Sequence, residues 1–203
     1  MTKVKNDKML IASLILLIIF IFFVFLHNYF NVIDNYIYSL IKPLISNSMT
    51  NIMQFITFFS DPIWCILLSC LIVLLSKNKK ISKGFLLNLI LVFLLNYVLK
   101  IMFSRERPID INLITETGFS FPSGHAMISL GIYGFLIYLL RLSDKNKISQ
   151  IIGTVSLVLL IFLIGISRIY LGVHYATDVI AGFVISASYL LLFIRFIYPK
   201  IKD

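Results

Sequence analysis

Residues Met9 to Leu26 read MLIASLILLIIFIFFVFL, an uncharged run placed directly after Lys3, Lys5 and Lys8. A helix needs about 20 predominantly apolar residues to cross the hydrocarbon core, and this run is close to that length. It is too long for the core of a signal peptide, and no small-residue cleavage site follows it. It therefore reads as an uncleaved first transmembrane helix. Working outward, the same pattern recurs, and spans are expected over residues 9–28, 51–76, 84–103, 125–141, 149–170 and 177–197. The expected fold is all-α: a polytopic bundle of six transmembrane helices forming one membrane-embedded domain over residues 1–203. The chain is 60% hydrophobic, against about 45–50% in a soluble domain.

Two segments need separate treatment. Asp61-Pro62 interrupts the second span, and an acid followed by proline also suits a helix start. Either the helix begins before Asp61 and kinks there, or a short helix from Pro62 to Ser76 is covered on its bilayer side by neighbours. Between the first two spans, Phe30, Ile33, Ile37, Leu40, Ile41 and Leu44 recur at helical spacing with Asn35, Ser39 and Lys42 between them. That stretch predicts an amphipathic helix ending or bending near Pro43, lying at the interface or packed on the bundle.

Charge orients the bundle. The net charge is +9. The basic residues sit in short loops between apolar runs, which points to membrane topology and away from nucleic-acid binding. With the N-terminus inside, Lys3, Lys5, Lys8, Lys77, Lys79, Lys80, Lys83, Arg141, Lys145, Lys147, Arg195, Lys200 and Lys202 are all cytoplasmic, 13 of the 18. Both termini are then cytoplasmic. Three of the five cations left outside, Lys100, Arg107 and Arg168, need a reason to break the rule; Lys42 and Arg105 are the others.

Those three cations belong to groups that together suit phosphate chemistry. Lys100 is followed by Arg107-Pro108; arginine can fork onto two phosphate oxygens while lysine acts as a point charge. Pro122-Ser123-Gly124-His125 opens a span, so backbone N–H groups at a helix start face any bound anion, with Gly124 permitting close approach. His125 in that first turn could protonate a leaving oxygen. Ser167-Arg168, His174 and Asp178 form the third group. Four residues apart, His174 and Asp178 would share a helical face, with Asp178 fixing the imidazole tautomer and freeing the other nitrogen to attack phosphorus. Each group alone also reads as an interfacial anchor, a helix cap or a structural pair. On the topology above all reach the same outer face, and charges in an apolar chain are costly.

Lys100-(six residues)-Arg107-Pro108, Pro122-Ser123-Gly124-His125 and Ser167-Arg168-(five residues)-His174-(three residues)-Asp178 resemble the tripartite signature of the type-2 phosphatidic acid phosphatase superfamily, with every position filled. The chain is most similar to its small bacterial membrane group, which includes phosphatidylglycerophosphatase B and undecaprenyl-pyrophosphate phosphatases. The resemblance implies His174 as nucleophile forming a phosphohistidine, Asp178 orienting it and His125 as general acid. It implies phosphate binding by Lys100, Arg107, Ser123, Gly124 and Arg168. No metal and no cofactor are expected. The expected partners are the bilayer and a membrane lipid phosphate or pyrophosphate, such as undecaprenyl pyrophosphate, phosphatidylglycerophosphate or phosphatidate, met at the extracytoplasmic face of a bacterial cell membrane. Phosphoryl transfer to another lipid at the same site, or non-catalytic headgroup binding or transport, are the alternatives.

Other residues read more plainly. His27 is expected at the interface beside Asn28 and Tyr29. Cys65 and Cys70 read as small apolar residues. Glu106, Asp110 and Glu116 share the outer loop but lack a recognisable metal-ligand spacing. Tyr97, Tyr170 and Tyr175 border the motifs, either as a headgroup pocket or as part of an aromatic belt.

Overall fold

The structure, a computed structural model, describes residues 3–26, 29–109 and 111–202, with side chains from Asp7 onward. His27, Asp110 and the side chains of Lys3 and Lys5 lie outside the described residues. The helices are α1 (Lys3–Leu26), α2 (Asn31–Ile41), α3 (Asn47–Phe58), α4 (Pro62–Leu75), α5 (Lys79–Phe103), α6 (Gly124–Leu142), α7 (Lys147–Tyr170) and α8 (Ala176–Leu192). A π-helical turn over Phe193–Ile197 and a 3-10 turn over Tyr198–Lys200 prolong α8. Side-chain oxygens of Ser46, Asn78 and Asn146 accept from Met49 N, Ile81 N and Ser149 N and so cap α3, α5 and α7.

Helices α1, α5, α6, α7 and the prolonged α8 are long and apolar enough to cross a membrane. Helices α3 and α4, joined at a 45° bend, together have the length and apolarity of a sixth span. Helix runs from Asn47 to Phe58, breaks at Phe59–Asp61 and restarts at Pro62, the geometry of a broken span or of a re-entrant loop. The result is an all-helical, multi-pass membrane bundle. Ile11, Ile18 and Phe22 of α1 and Ile151, Val155 and Phe162 of α7 face outward, as apolar side chains do in lipid.

Inside the bundle, α1 packs on α8 through a reciprocal pair: Ser13 Oγ donates to Ser188 O at 3.2 Å and Ser188 Oγ to Ser13 O at 2.9 Å. Small polar residues suit this position, because helices in lipid associate by close packing and interhelical hydrogen bonds. Phe85, Ile132, Phe135, Phe193 and Tyr198 fill one end of the core. Phe20, Val92, Leu99, Phe121, Met127 and Ile185 fill the other. The Asn88 amide donates to Gly131 O at 2.9 Å, and Tyr189 Oη donates to Asn88 Oδ1 at 3.0 Å, so this buried polar pair is satisfied.

Helix α2 ends as expected at the Pro43 turn, and it is amphipathic as the sequence predicts. Val32, Ile33, Tyr36 and Leu40 are exposed, and the one buried residue is Asp34. The exposed aliphatics suit the interfacial placement and not a stripe packed on the bundle, while the buried carboxylate is a feature the apolar spacing did not carry. The carboxylate is drawn in by partners at the start of α8.

Candidate active site

The motif residues gather at one end of the bundle, built by the Ser104–Ser123 segment, the α7–α8 link and the α3–α4 break. The basic residues of the other end lie together as well: Lys83 Nζ donates to Lys202 O at 3.0 Å, and Arg195 lies 3.6 Å from Asp7.

Lys100 sits in the last turn of α5 and donates from Nζ to Phe119 O. Arg107 is held by loop carbonyls: Nε donates to Gly118 O at 3.0 Å, Nη2 to Thr117 O at 3.0 Å and Nη1 to Val173 O at 2.8 Å. Its Nη1 also lies 3.2 Å from His174 Nε2. Ser123 N donates to Asp178 O at 3.0 Å, docking the start of α6 onto the start of α8. Ser123 Oγ itself is buried without a partner. Close packing favours glycine at position 124, since a Cβ there would lie 2.9 Å from Asn96 Oδ1. Arg168, in the last turn of α7, is 1% exposed; Nη1 donates to Thr57 Oγ1 at 2.9 Å and Nη2 to Glu116 Oε1, while Nε has no partner. Unpaired donors on a buried arginine and a buried serine are the kind of group that an anion would satisfy.

His174 follows the tight turn at Gly172, whose φ of +69° suits glycine. His174 precedes the helix, which starts at Ala176, so the shared-face argument for His174 and Asp178 does not hold as stated. Asp178 instead accepts from Tyr175 N at 3.0 Å as part of the helix cap. His174 Nδ1 lies 3.6 Å from Asp178 Oδ2, beyond hydrogen-bond length, and 3.2 Å from Ser120 Oγ. Ser120 Oγ donates to Asp178 Oδ2, so a hydroxyl bridges the pair. Burial, and after it the charges of Arg168, Arg107 and Lys100, hold the His174 imidazole well below its ordinary pKa of 6.5. Burial also lowers Arg107. For Glu116, burial pushes the carboxyl up, but the Arg168 charge and hydrogen bond outweigh it and leave the group below the ordinary carboxylate range.

Asn96, Lys100, Arg107, Gly124, His125 and His174 line one cavity of about 210 Å³. Ser123, Arg168 and Asp178 stand behind that lining. An open depression of about 520 Å³, bordered by Glu106, Pro108 and Asn112, adjoins it. Arg107 and Glu116 border both. Neither Tyr170 nor Tyr175 lines this cavity: Tyr170 Oη accepts from Ser46 N at 3.1 Å, and Tyr175 lies under the Arg105 guanidinium. Tyr97 is exposed on α5.

Several residues here escaped the sequence reading. Asp61 makes no cap with its side chain; its Oδ1 lies 2.9 Å from His125 Nε2, so both histidines have a nearby carboxylate. The signal was an acid inside an apolar span. Arg105 broke the charge rule as Arg107 did, yet stood outside the motifs. Thr57 and Ser120 carried no signal.

Known proteins resemble the chain over this region and beyond. Residues 83–202 match the sequence profile of the PAP2 superfamily. The chain is 45% identical over 106 residues to phosphatidylglycerophosphatase B of Bacillus subtilis (strain 168), a match covering 50% of this chain and 49% of that protein. It is 26% identical over 147 residues to undecaprenyl-diphosphatase of Sulfolobus acidocaldarius, covering 69% and 66%. The chain thus aligns with about half of the first curated relative's length. The crystal structure of a transmembrane PAP2-type phosphatidylglycerolphosphate phosphatase from Bacillus subtilis superposes with a TM-score of 0.85 at 28% identity, covering 95% of this chain and 98% of that one. Aquifex aeolicus LpxE gives a TM-score of 0.60 at 26% identity, covering 77% and 92%. The profile match takes in all three motifs at this end of the bundle, and the chain belongs to the PAP2 superfamily.

Proposed function

We propose that this protein is an integral-membrane lipid phosphatase working through a phosphohistidine on His174, without a metal. The observation that carries the reading is one cavity lined by two histidines and two cations, backed by unpaired donors on Arg168 and Ser123. Lys100, Arg107, Arg168, Ser123 and the backbone at Gly124 bind the terminal phosphate. Phosphate oxygens replace the Glu116 carboxylate on Arg168. Neutral His174 attacks phosphorus through Nε2, with its Nδ1 proton directed to Ser120 and Asp178. The P–O bond to the lipid breaks, and the leaving oxygen takes the Nε2 proton of His125 by displacing Asp61 from it. Water then attacks the phosphohistidine, His125 accepts the water proton, and inorganic phosphate leaves. The net reaction consumes one water and yields the dephosphorylated lipid and phosphate.

The names of the relatives support undecaprenyl pyrophosphate and phosphatidylglycerophosphate as substrates, with phosphatidate a third. A lipid tail can stay in the bilayer while the phosphate reaches the bundle end. The clustering of basic residues at the opposite end supports a bacterial cell membrane orientation with both termini cytoplasmic and the site extracytoplasmic. Phosphate release from the three lipids, compared side by side in excess EDTA, is the test. Wild type is expected to turn over at least one, and His174→Ala none. Release by His174→Ala overturns the nucleophile, and loss of wild-type activity in EDTA overturns metal independence. Appearance of a second phosphorylated lipid would instead identify transfer. An Ile109→Cys variant, at an exposed position of the site loop, should react with a membrane-impermeant thiol reagent on intact cells; protection there reverses the orientation.

A further inference from the structure

Behind the site, three charged side chains from three separate parts of the chain form a buried row. Asp34 comes from α2, Arg105 from the segment after α5, and Asp178 from the first turn of α8. Arg105 Nη2 lies 3.1 Å from Asp34 Oδ2, and Nη1 lies 2.6 Å from Asp178 Oδ1. Their side chains are 9%, 1% and 0% exposed for Arg105, Asp34 and Asp178. Both carboxylates have further anchors. Asp34 Oδ1 accepts from Thr177 N at 2.9 Å and Oδ2 from Thr177 Oγ1 at 2.8 Å, so it caps α8 from a neighbouring helix. Arg105 Nη1 also donates to Thr177 Oγ1 at 3.1 Å, and the guanidinium stacks 4.0 Å over the Tyr175 ring. A planar guanidinium clamped between two carboxylates and an aromatic face has little freedom to rotate. Asp178 has its other oxygen on Ser120 and Tyr175 N, so every polar contact it makes fixes its orientation toward His174.

Neither Asp34 nor Arg105 lines the cavity, and the polar atoms of both are taken up by one another, by Asp178 and by Thr177. We infer that Asp34 and Arg105 are positioning residues of the reaction, a two-residue relay that ties helix α2 to the carboxylate of the His174–Asp178 pair. The relay rests on the reading of His174 as nucleophile. It also accounts for why α2 buries its one carboxylate while turning aliphatics outward. The position of α2 is thereby tied to the geometry of the attacking imidazole, through one arginine.

The experiment measures kcat and KM for lipid phosphate hydrolysis by the full chain in detergent, with Tm recorded for each variant. Arg105→Gln is expected to lower kcat about tenfold to hundredfold, as small misplacements of reacting groups do. KM should change little, since the ground-state phosphate contacts remain. Asp34→Ala should lower kcat less, and the double variant should be no slower than Arg105→Gln alone, because both act through one chain of contacts. Arg105→Lys keeps the charge but cannot span both carboxylates, and should recover part of the lost kcat while falling short of wild type. This variant decides the matter should Arg105→Gln fail to fold. Wild-type kcat in Arg105→Gln or Arg105→Lys overturns the relay, as does a rise in KM with kcat intact or an additive loss in the double variant. His174→Ala separates the two levels. If it remains active, the nucleophile reading fails. If it is dead while Arg105→Gln matches wild type, only the relay fails.

Discussion

Replacing Glu116 with glutamine should make the protein bind inorganic phosphate more tightly. The Glu116 carboxylate is held by a 1%-exposed Arg168 and lies 3.9 Å from Arg107, so it occupies the place where phosphate oxygens would meet the same guanidinium groups. It is itself only 26% exposed and is ionised over any ordinary assay range, because Arg168 holds its carboxyl below the usual value. On the proposed function, phosphate therefore binds in competition with a resident anion. A hydrogen bond to a charged group contributes about 1.5–3 kcal/mol, roughly twice a neutral one. Glutamine keeps a neutral acceptor for Arg168 and removes the charge, so the competition weakens by about 0.7–1.5 kcal/mol. That corresponds to a drop in the competitive Ki of inorganic phosphate of about threefold to twelvefold. The assay is inhibition of lipid phosphate hydrolysis by added phosphate in detergent, at fixed pH and ionic strength. A Ki that is unchanged or larger in Glu116→Gln refutes the reasoning, since it would mean that the carboxylate stays in place or assists when phosphate binds.

Two further outcomes follow from the geometry. On the proposed mechanism attack requires neutral His174, and burial together with Arg168, Arg107 and Lys100 disfavours the imidazolium; kcat/KM should therefore persist as pH falls through 6.5 and be lost only below the depressed pKa, so an acid limb centred at or above 6.5 in a pH profile counts against His174. Gly172→Ala would place a Cβ 2.1 Å from Ile111 O at a φ of +69°; the backbone strain alone costs about 1–2 kcal/mol, and thermal unfolding in detergent should show a clear fall in Tm, with a wild-type Tm refuting the need for glycine.

The spans were legible because their signal is length and apolarity, which neighbours do not alter. The break in the second span was legible as well, since Asp61-Pro62 marks it within the chain. The motif residues were legible through spacing, and they do gather at one end. What spacing misled about was local: His174 and Asp178 are four apart, but the helix begins between them, and Ser120 from another segment joins them. Asp34 and Arg105 were beyond reach for a different reason. Asp34 meets its partner Thr177 from 143 positions away, and no local pattern encodes such a pairing. The amphipathic reading of α2 counted apolar residues, whereas the residue that fixes how the helix sits is its buried acid. Arg105 breaks the charge rule, but its partners Asp34 and Asp178 lie 71 and 73 positions away, so no local motif marks its role.

The break at Phe59–Asp61 also bears on how this chain is made. Asp61 leaves the ribosome 64 residues ahead of His125, a gap of about 3–13 s at about 5–20 residues per second. Throughout that interval a carboxylate belonging to a nascent membrane span has no histidine to meet it. A charge inside a membrane-spanning segment is costly until it is paired. Asp34, in an 11-residue helix too short to cross the bilayer, precedes its partner Thr177 by 143 residues. Two carboxylates of this end of the bundle are thus made before the groups they pair with, Asp61 before His125 and Asp34 before Arg105 and Thr177.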